Sequence, residues 1–242
     1  MKPFFAAIQF LTILPIGARG TYMPRAMIAW FPIVGLLLGL LLAVFDAAVS
    51  RLWAPSAVAA LDMVLLILLT GALHLDGLGD TADGLYGQRS AEKALSIMKD
   101  SRIGAMALVT VVAALALKWS GLSGLAQDRF LLLMLIPAYA RGAMLFGIRG
   151  LPYGRRAEGT GYDLFATPLT HRDFGGLVLV VALSGLLGWP AIWLNLVFIL
   201  MVLLLLTYYR RKIGCITGDM LGAMTELTES GLFLFMAITV LP

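Results

Sequence analysis

The chain has 242 residues, of which 60% are apolar and 13% charged, with a formal net charge of +4 and a mean hydropathy of +0.92. These values lie far outside the range of soluble domains and predict an all-α, polytopic membrane bundle, read as a single transmembrane catalytic domain over residues 1–242. The one cysteine, Cys215, excludes an internal disulfide framework, and the weak basic balance gives no reason to expect a nucleic-acid partner.

The chain opens with Lys2 and a short apolar piece from Phe4 to Ile16. This piece is too short to span a bilayer comfortably, and with one Lys and no small-residue cleavage site it does not read as a signal peptide. An interfacial or re-entrant helix is expected. The first clear span runs from Ala26 to Val49, where Gly35 and Gly39 form a small-xxx-small pair suited to close helix packing, within one protomer or between protomers of a homo-oligomer. A second span, Ala57 to Leu73, delivers the chain to His74-Leu75-Asp76-Gly77-Leu78-Gly79-Asp80-Thr81-Ala82-Asp83-Gly84.

That motif puts three carboxylates and an imidazole at the end of an apolar run, where an unpaired charge is expensive. On a helix Asp76, Asp80 and Asp83 fall at i, i+4 and i+7, a face about 60° wide. Their mutual repulsion is tolerable with a divalent cation among them, and hard oxygen donors suit magnesium, manganese or calcium. The glycines let another backbone or a phosphate come close. A single Asp in this position would more simply cap a helix.

From Tyr86 to Asp100 the sequence turns polar. Ser90 can cap a short helix with an Ala94, Leu95 and Met98 stripe, lying on the membrane surface. It ends in Lys99-Asp100-Ser101-Arg102. A third span runs from Ala105 to Leu117 and a fourth from Phe130 to Ile148. The fourth carries Arg141, which either faces the bundle interior as a functional group or snorkels to the near surface. The hydrophilic segment from Arg149 to Arg172 contains Arg155-Arg156-Ala157-Glu158-Gly159-Thr160-Gly161, the makings of a guanidinium-and-backbone phosphate clamp.

Spans at Gly175 to Leu187 and Ala191 to Tyr208 follow, with Trp189 and Trp193 suited to an interfacial aromatic belt. Beyond Arg210-Arg211-Lys212, Asp219 and Glu226 stand two helical turns apart on one side, with Glu229 slightly rotated. A last apolar piece from Leu232 to Leu241 makes seven spans. With the amino terminus inside, nearly every basic residue lies on the cytoplasmic side and only Arg51, Lys118 and Arg129 lie outside, as the positive-inside rule requires. All four polar clusters then emerge on one face of the membrane and predict one active site there. Acids around a cation, with arginines and glycines nearby, point to a phosphate-bearing substrate and metal-assisted displacement at phosphorus.

The string HLDGLGDTADG (His74 to Gly84), with IMKDSRIG (Ile97 to Gly104) and TGDMLGAMTEL (Thr217 to Leu227), strongly resembles the cobalamin synthases, the adenosylcobinamide-GDP ribazoletransferases. FPIVGLLLG at Phe31 to Gly39, ARG at Ala140 to Gly142 and RRAEGTG at Arg155 to Gly161 add to the likeness, which covers essentially the whole chain. The resemblance implies a multi-pass protein of the inner membrane that needs Mg2+ and attaches α-ribazole, or its 5′-phosphate, to adenosylcobinamide-GDP, releasing GMP. It implies that Asp76, Asp80 and Asp83 hold magnesium on the pyrophosphate, with Asp219 and Glu226 completing the metal site or positioning the ribazole. One of the three acids or His74 would take the proton of the attacking hydroxyl. Asp100, Arg102, Arg141, Arg156, Glu158, Gly159 and Gly161 would bind substrate and its phosphates.

Two other readings stay open. Asp80-Thr81-Ala82-Asp83-Gly84 matches the start of the CDP-alcohol phosphotransferase motif, but the Ala-Arg expected next is missing. A cation-coupled transporter would also explain intramembrane charge, though its acids would sit at the midplane instead of at span ends.

Overall fold

The computed structural model describes residues 2–16, 22–155 and 161–238, so Arg156, Glu158 and Gly159 lie outside the described residues. Among those described, the regular elements are helices: α1 (Lys2–Leu11), α2 (Pro24–Met27), α3 (Phe31–Val49), α4 (Pro55–Thr70), α5 (Leu73–Leu85), α6 (Ala91–Ile97), α7 (Ala105–Gly124), α8 (Arg129–Gly150), α9 (Gly175–Ser184), α10 (Pro190–Lys212) and α11 (Gly218–Met236). Four stretches are long and apolar enough to cross a membrane, namely Pro24–Val49, α7, α8 and α10. A fifth is added if α4 and α5, bent by 89° at a short break, count as one.

By length and composition four or five stretches among the described residues meet the requirement, so the seven spans expected from the sequence are not all matched by helices of that kind. The run at Gly175 to Leu187 is α9, whose ten residues rise only about 15 Å, half the thickness of a hydrocarbon core. The last apolar piece is no separate element, since its described part continues α11, which carries Asp219, Glu226 and Glu229 through the middle of the bundle. α7 runs past the expected end at Leu117 to Gly124. Trp189 is exposed as a belt residue would be, whereas Trp193 turns inward beside Phe235. On α6, Ser90 accepts from the Lys93 amide while Ala94 and Met98 are buried, as its stripe predicts.

The scaffold is α3 laid against α8. A Cβ on Gly39 would collide with the carbonyls of Leu133 and Met134, and one on Gly35 with Pro137 and Ala138, so the small-xxx-small pair is used within the protomer. At the end of the bundle remote from the acidic motif, Arg129 bonds Asp46 at 2.9 Å and Asp62 at 3.2 Å and donates to the Leu122 carbonyl, tying α3, α4, α7 and α8.

The middle of the bundle is held by charge. Lys118 on α7 donates to Glu226 at 2.5 Å and to Glu229 at 2.9 Å, and Arg141 on α8 donates to Glu229. All four side chains are buried, Lys118 with 2% exposure and Arg141 with 1%. This corrects three expectations. Lys118 is no outer-loop charge, Arg141 neither snorkels to the surface nor lines a cavity but pairs with Glu229, and Glu226 faces Lys118 and not the acids of α5. The cause is common to all three: two cations and two anions removed from water are tolerable only in pairs.

Near the membrane surface Arg25 forks onto Asp173, at 2.8 Å and 2.6 Å, and Asp173 also accepts from the Thr170 amide and hydroxyl.

Breaking the buried quartet by Lys118→Met strips Glu226 of its partner and lowers stability by about 3–5 kcal/mol. Adding Glu226→Gln restores neutrality and recovers much of that loss, whereas strictly additive losses in detergent-solubilised unfolding would contradict the pairing. The Arg25 guanidinium holds the Asp173 carboxyl below its ordinary value of 3.8. A depressed acid contributes stability that is complete above that ordinary value and lost as pH falls through the folded one. Asp173→Asn therefore lowers the unfolding temperature at neutral pH and narrows its gap from the native chain below about pH 4, measured by scanning unfolding across pH.

Candidate active site

The site begins at the corner between α4 and α5. Gly71 and Ala72 both take left-handed conformations, with φ +60° and +59°, and the Ala72 amide closes on the Ile67 carbonyl at 3.0 Å. For alanine this conformation costs about 1–2 kcal/mol. The segment after α1 is fastened to the same corner, because the Ile13 amide donates to Leu69 at 2.9 Å.

Past the corner the acidic motif is helical, as its spacing predicts. Leu75, Gly77, Leu78 and Gly79 are buried while Asp76, Asp80 and Asp83 are not. Gly77 meets the backbone of α11: a Cβ there would stand 2.6 Å from the Asp219 carbonyl oxygen, and one on Gly222 would stand 3.3 Å from the Cα of His74. Glycine on both sides lets two helices cross backbone to backbone. That crossing brings Asp219 to the acids of α5, and Asp80 feels Asp76, Asp219 and Asp83 as like charges, with Arg155 as the opposing cation.

Arg155 arrives by a short backbone pairing. Gly154 donates to the Ile216 carbonyl at 2.9 Å and Ile216 to that of Pro152 at 3.0 Å, fixing the loop after α8 beside the start of α11. Thr217 caps α11 by accepting from the Met220 amide. Arg155 then bonds Asp219 and the Met98 carbonyl.

Asp83 accepts from the amides of Gly104 at 2.7 Å and Ala107 at 2.9 Å, so its carboxylate caps α7 and complements that helix's dipole. Asp100 pairs with Arg102, whose guanidinium pulls the carboxyl down to about 2. With its side chain 87% exposed, Arg102 is free to turn toward a ligand.

Two cavities adjoin on either side of Asp76. The inner, about 480 Å³, is walled by Phe10 and Leu11 of α1 with Leu164 and Leu221, and reaches His74, Asp76, Gly161 and Asp219. The outer, about 390 Å³, is bounded by Asp76, Asp80, Lys99, Asp100, Ser101 and Arg102. His74 is 1% exposed, its charged neighbours are Arg141, Glu229 and Lys118, and neither ring nitrogen has a protein partner.

Of the residues named from the sequence, Asp76, Asp80, Asp100, Arg102, Gly161 and Asp219 gather around these cavities. Asp83 stands behind them holding α7, His74 lies on the inner boundary, and Arg141 and Glu226 belong to the buried quartet. Sequence reasoning gave no separate role to Arg155, although it named the Arg155-Arg156 pair, and it left the place of α1 open. No spacing pattern could show that residues so far apart as Phe10 and Asp219 line one cavity.

The donor chemistry at this end suits magnesium. Asp76, Asp80 and Asp219 offer hard oxygens from two crossing helices, and their repulsion is what a cation would relieve. Among the described residues no three His, Cys, Asp or Glu side chains form a ready cage. Magnesium commonly takes one or two carboxylates together with substrate phosphates and water, so the residues fit an ion shared with a phosphorylated ligand.

Residues 3–237 match the family model described as Cobalamin-5-phosphate synthase. The chain is 39% identical to the adenosylcobinamide-GDP ribazoletransferase of Geotalea daltonii over 236 residues, covering 95% of this chain and 94% of that protein. It is 41% identical to the protein of that name from Pseudomonas putida strain W619 over 247 residues, covering 98% and 99%. No solved structure matches it. From motif to full-length likeness, the chain belongs to the cobalamin-5-phosphate synthase family.

Proposed function

We propose that this chain is a magnesium-dependent transferase that joins α-ribazole, or its 5′-phosphate, to adenosylcobinamide-GDP and releases GMP. Its site faces the cytoplasm from the cell's inner membrane. The relatives' names supply the reaction, and the observation that carries the reading here is the pair of cavities meeting at Asp76, one with largely apolar walls above a polar floor and one rimmed by charged side chains of both signs. A transfer between two large substrates needs two compartments that share a reacting point.

In this reading the attacking ribose oxygen bonds to phosphorus while the anhydride bond to GMP breaks, its electron pair leaving on the GMP phosphate. Asp76, the carboxylate common to both cavities, accepts the hydroxyl proton. This role falls to Asp76 and not to His74, whose imidazole is enclosed beside the buried quartet. Asp80 and Asp219 present oxygens to the magnesium ion, which when bound neutralises charge on the pyrophosphate. Arg102 and Lys99 neutralise phosphate charge in the outer cavity, and Arg155 anchors Asp219. Asp83 positions α5 through its hold on α7.

A transporter's coupling ions bind near the midplane, and the acids in the middle of this bundle, Glu226 and Glu229, are already neutralised by Lys118 and Arg141, which favours the transferase reading.

Liposome-embedded protein given adenosylcobinamide-GDP, α-ribazole phosphate and magnesium is expected to release GMP, and EDTA to stop it. Asp80→Asn, with its unfolding temperature unchanged, is expected to lower the rate at least about 100-fold. GMP release that survives EDTA and Asp80→Asn would refute the assignment.

A further inference from the structure

The inner cavity has a character that the transfer reaction alone does not explain. Its floor is the crossing of α5 and α11 and its roof is α1, the amino-terminal helix, with Phe10 and Leu11 facing Leu164, Leu221 and Met144. Its charged groups gather at Asp76 and Asp219 beside His74, and Gln9 and Tyr22 add polar side chains to the wall formed by the amino-terminal segment. α1 is held in place by its buried Ala6, Ala7, Ile8 and Leu11, and by the Ile13 bond to the end of α4.

We infer that this cavity is the binding pocket for the heterocyclic base of the ribazole acceptor, with Phe10 and Leu164 setting which base is accepted. The inference rests on the transfer reaction proposed above and adds to it which substrate each cavity takes.

Three features of the pocket lead there. About 480 Å³ accommodates a nucleoside but not a corrin ring with its amide arms, so the corrinoid must remain outside. Guanine carries several donors and acceptors on its edges. Away from His74, Asp76 and Asp219 the polar side chains in the described lining are Gln9 and Tyr22, so most of those edge groups would face Phe10, Leu11, Leu164 and Leu221, at a penalty that an apolar base does not incur. Dimethylbenzimidazole is flat, largely apolar and carries methyl groups, and apolar walls suit it. Its ribose then points to the polar end, placing a hydroxyl at Asp76. The outer cavity, with Lys99, Ser101 and Arg102, is left for the pyrophosphate and its nucleoside. Asp76 therefore stands between acceptor and donor, which is where the new bond must form.

The test uses the full chain in liposomes and a size series of α-ribosides whose bases are imidazole, benzimidazole, dimethylbenzimidazole and naphthimidazole. KM is read for each acceptor and for adenosylcobinamide-GDP. Binding of labelled α-ribazole is measured separately, without the second substrate. Leu164→Phe, which narrows the pocket, is expected to raise KM for the dimethylbenzimidazole riboside at least about tenfold while leaving those for imidazole riboside and adenosylcobinamide-GDP within about twofold. Phe10→Ala, which removes a wall and keeps the test open if Leu164→Phe does not fold, is expected to favour naphthimidazole over benzimidazole by about tenfold relative to the native chain.

A rise in KM for adenosylcobinamide-GDP, with the acceptor series unmoved, would show that guanosine occupies the pocket and would overturn the inference. Equal losses for every acceptor would do the same. Saturable ribazole binding that is weakened by Phe10→Ala, in a protein releasing no GMP, would uphold the pocket while removing the transferase reading.

Discussion

Lys118 and Arg141 stand inside a membrane bundle, and this fact constrains the rest. Neither cation is tolerable there alone, and the acids that neutralise them are Glu226 and Glu229 on α11. The pairs fix both the depth and the rotation of α11 between α7 and α8. Asp219 lies seven residues earlier, which on a helix is about 10.5 Å nearer the membrane surface and on nearly the same side. Once Glu226 meets Lys118, Asp219 is carried to the level of Asp76 and Asp80. The buried quartet therefore sets the register of the site from outside the lining of either cavity.

A second constraint lies in how closely α5 and α11 approach. Gly77 and Gly222 remove the side chains that would hold the helices apart, and the corner at Gly71 and Ala72 turns α5 across α11 instead of letting it continue along α4. An acidic helix with three interior glycines has little helical preference of its own. It is held by what it touches, namely α11 at Gly77, α7 through Asp83 and α6 at Gly84. The α1 segment closes the arrangement from the other side, so residues from both ends of the chain build one pocket.

Local features were legible in the sequence. The helical spacing of Asp76, Asp80 and Asp83, the cap at Ser90 and the small pair at Gly35 and Gly39 each follow from residue type and period alone. Long-range pairing was not. Lys118 near the end of an apolar run reads as a loop charge, because nothing in its neighbourhood shows that Glu226 and Glu229, more than a hundred residues later, neutralise it. Arg141 is ambiguous for the same reason, and the spacing of Glu226 from Asp219 shows a shared helical side, to which the family resemblance adds the metal role. The span count of seven rests on apolar runs that form no long separate helix, namely the ten-residue α9 and the tail of α11. Asp83 reads alike as a ligand or a cap until Gly104 and Ala107 are placed beside it.

The central claim is that one ion site is built from α5 and α11 at the mouth of two cavities. It is tested most directly by an anomalous-scattering map of the protein with Mn2+ and a GDP-bearing ligand. The account predicts a peak between the two helices, within bonding reach of Asp80 and of Asp76 or Asp219, and lost in Asp80→Asn. A peak at Asp46 and Asp62, or one between α5 and α11 that persists without the Asp80 carboxylate, would contradict it.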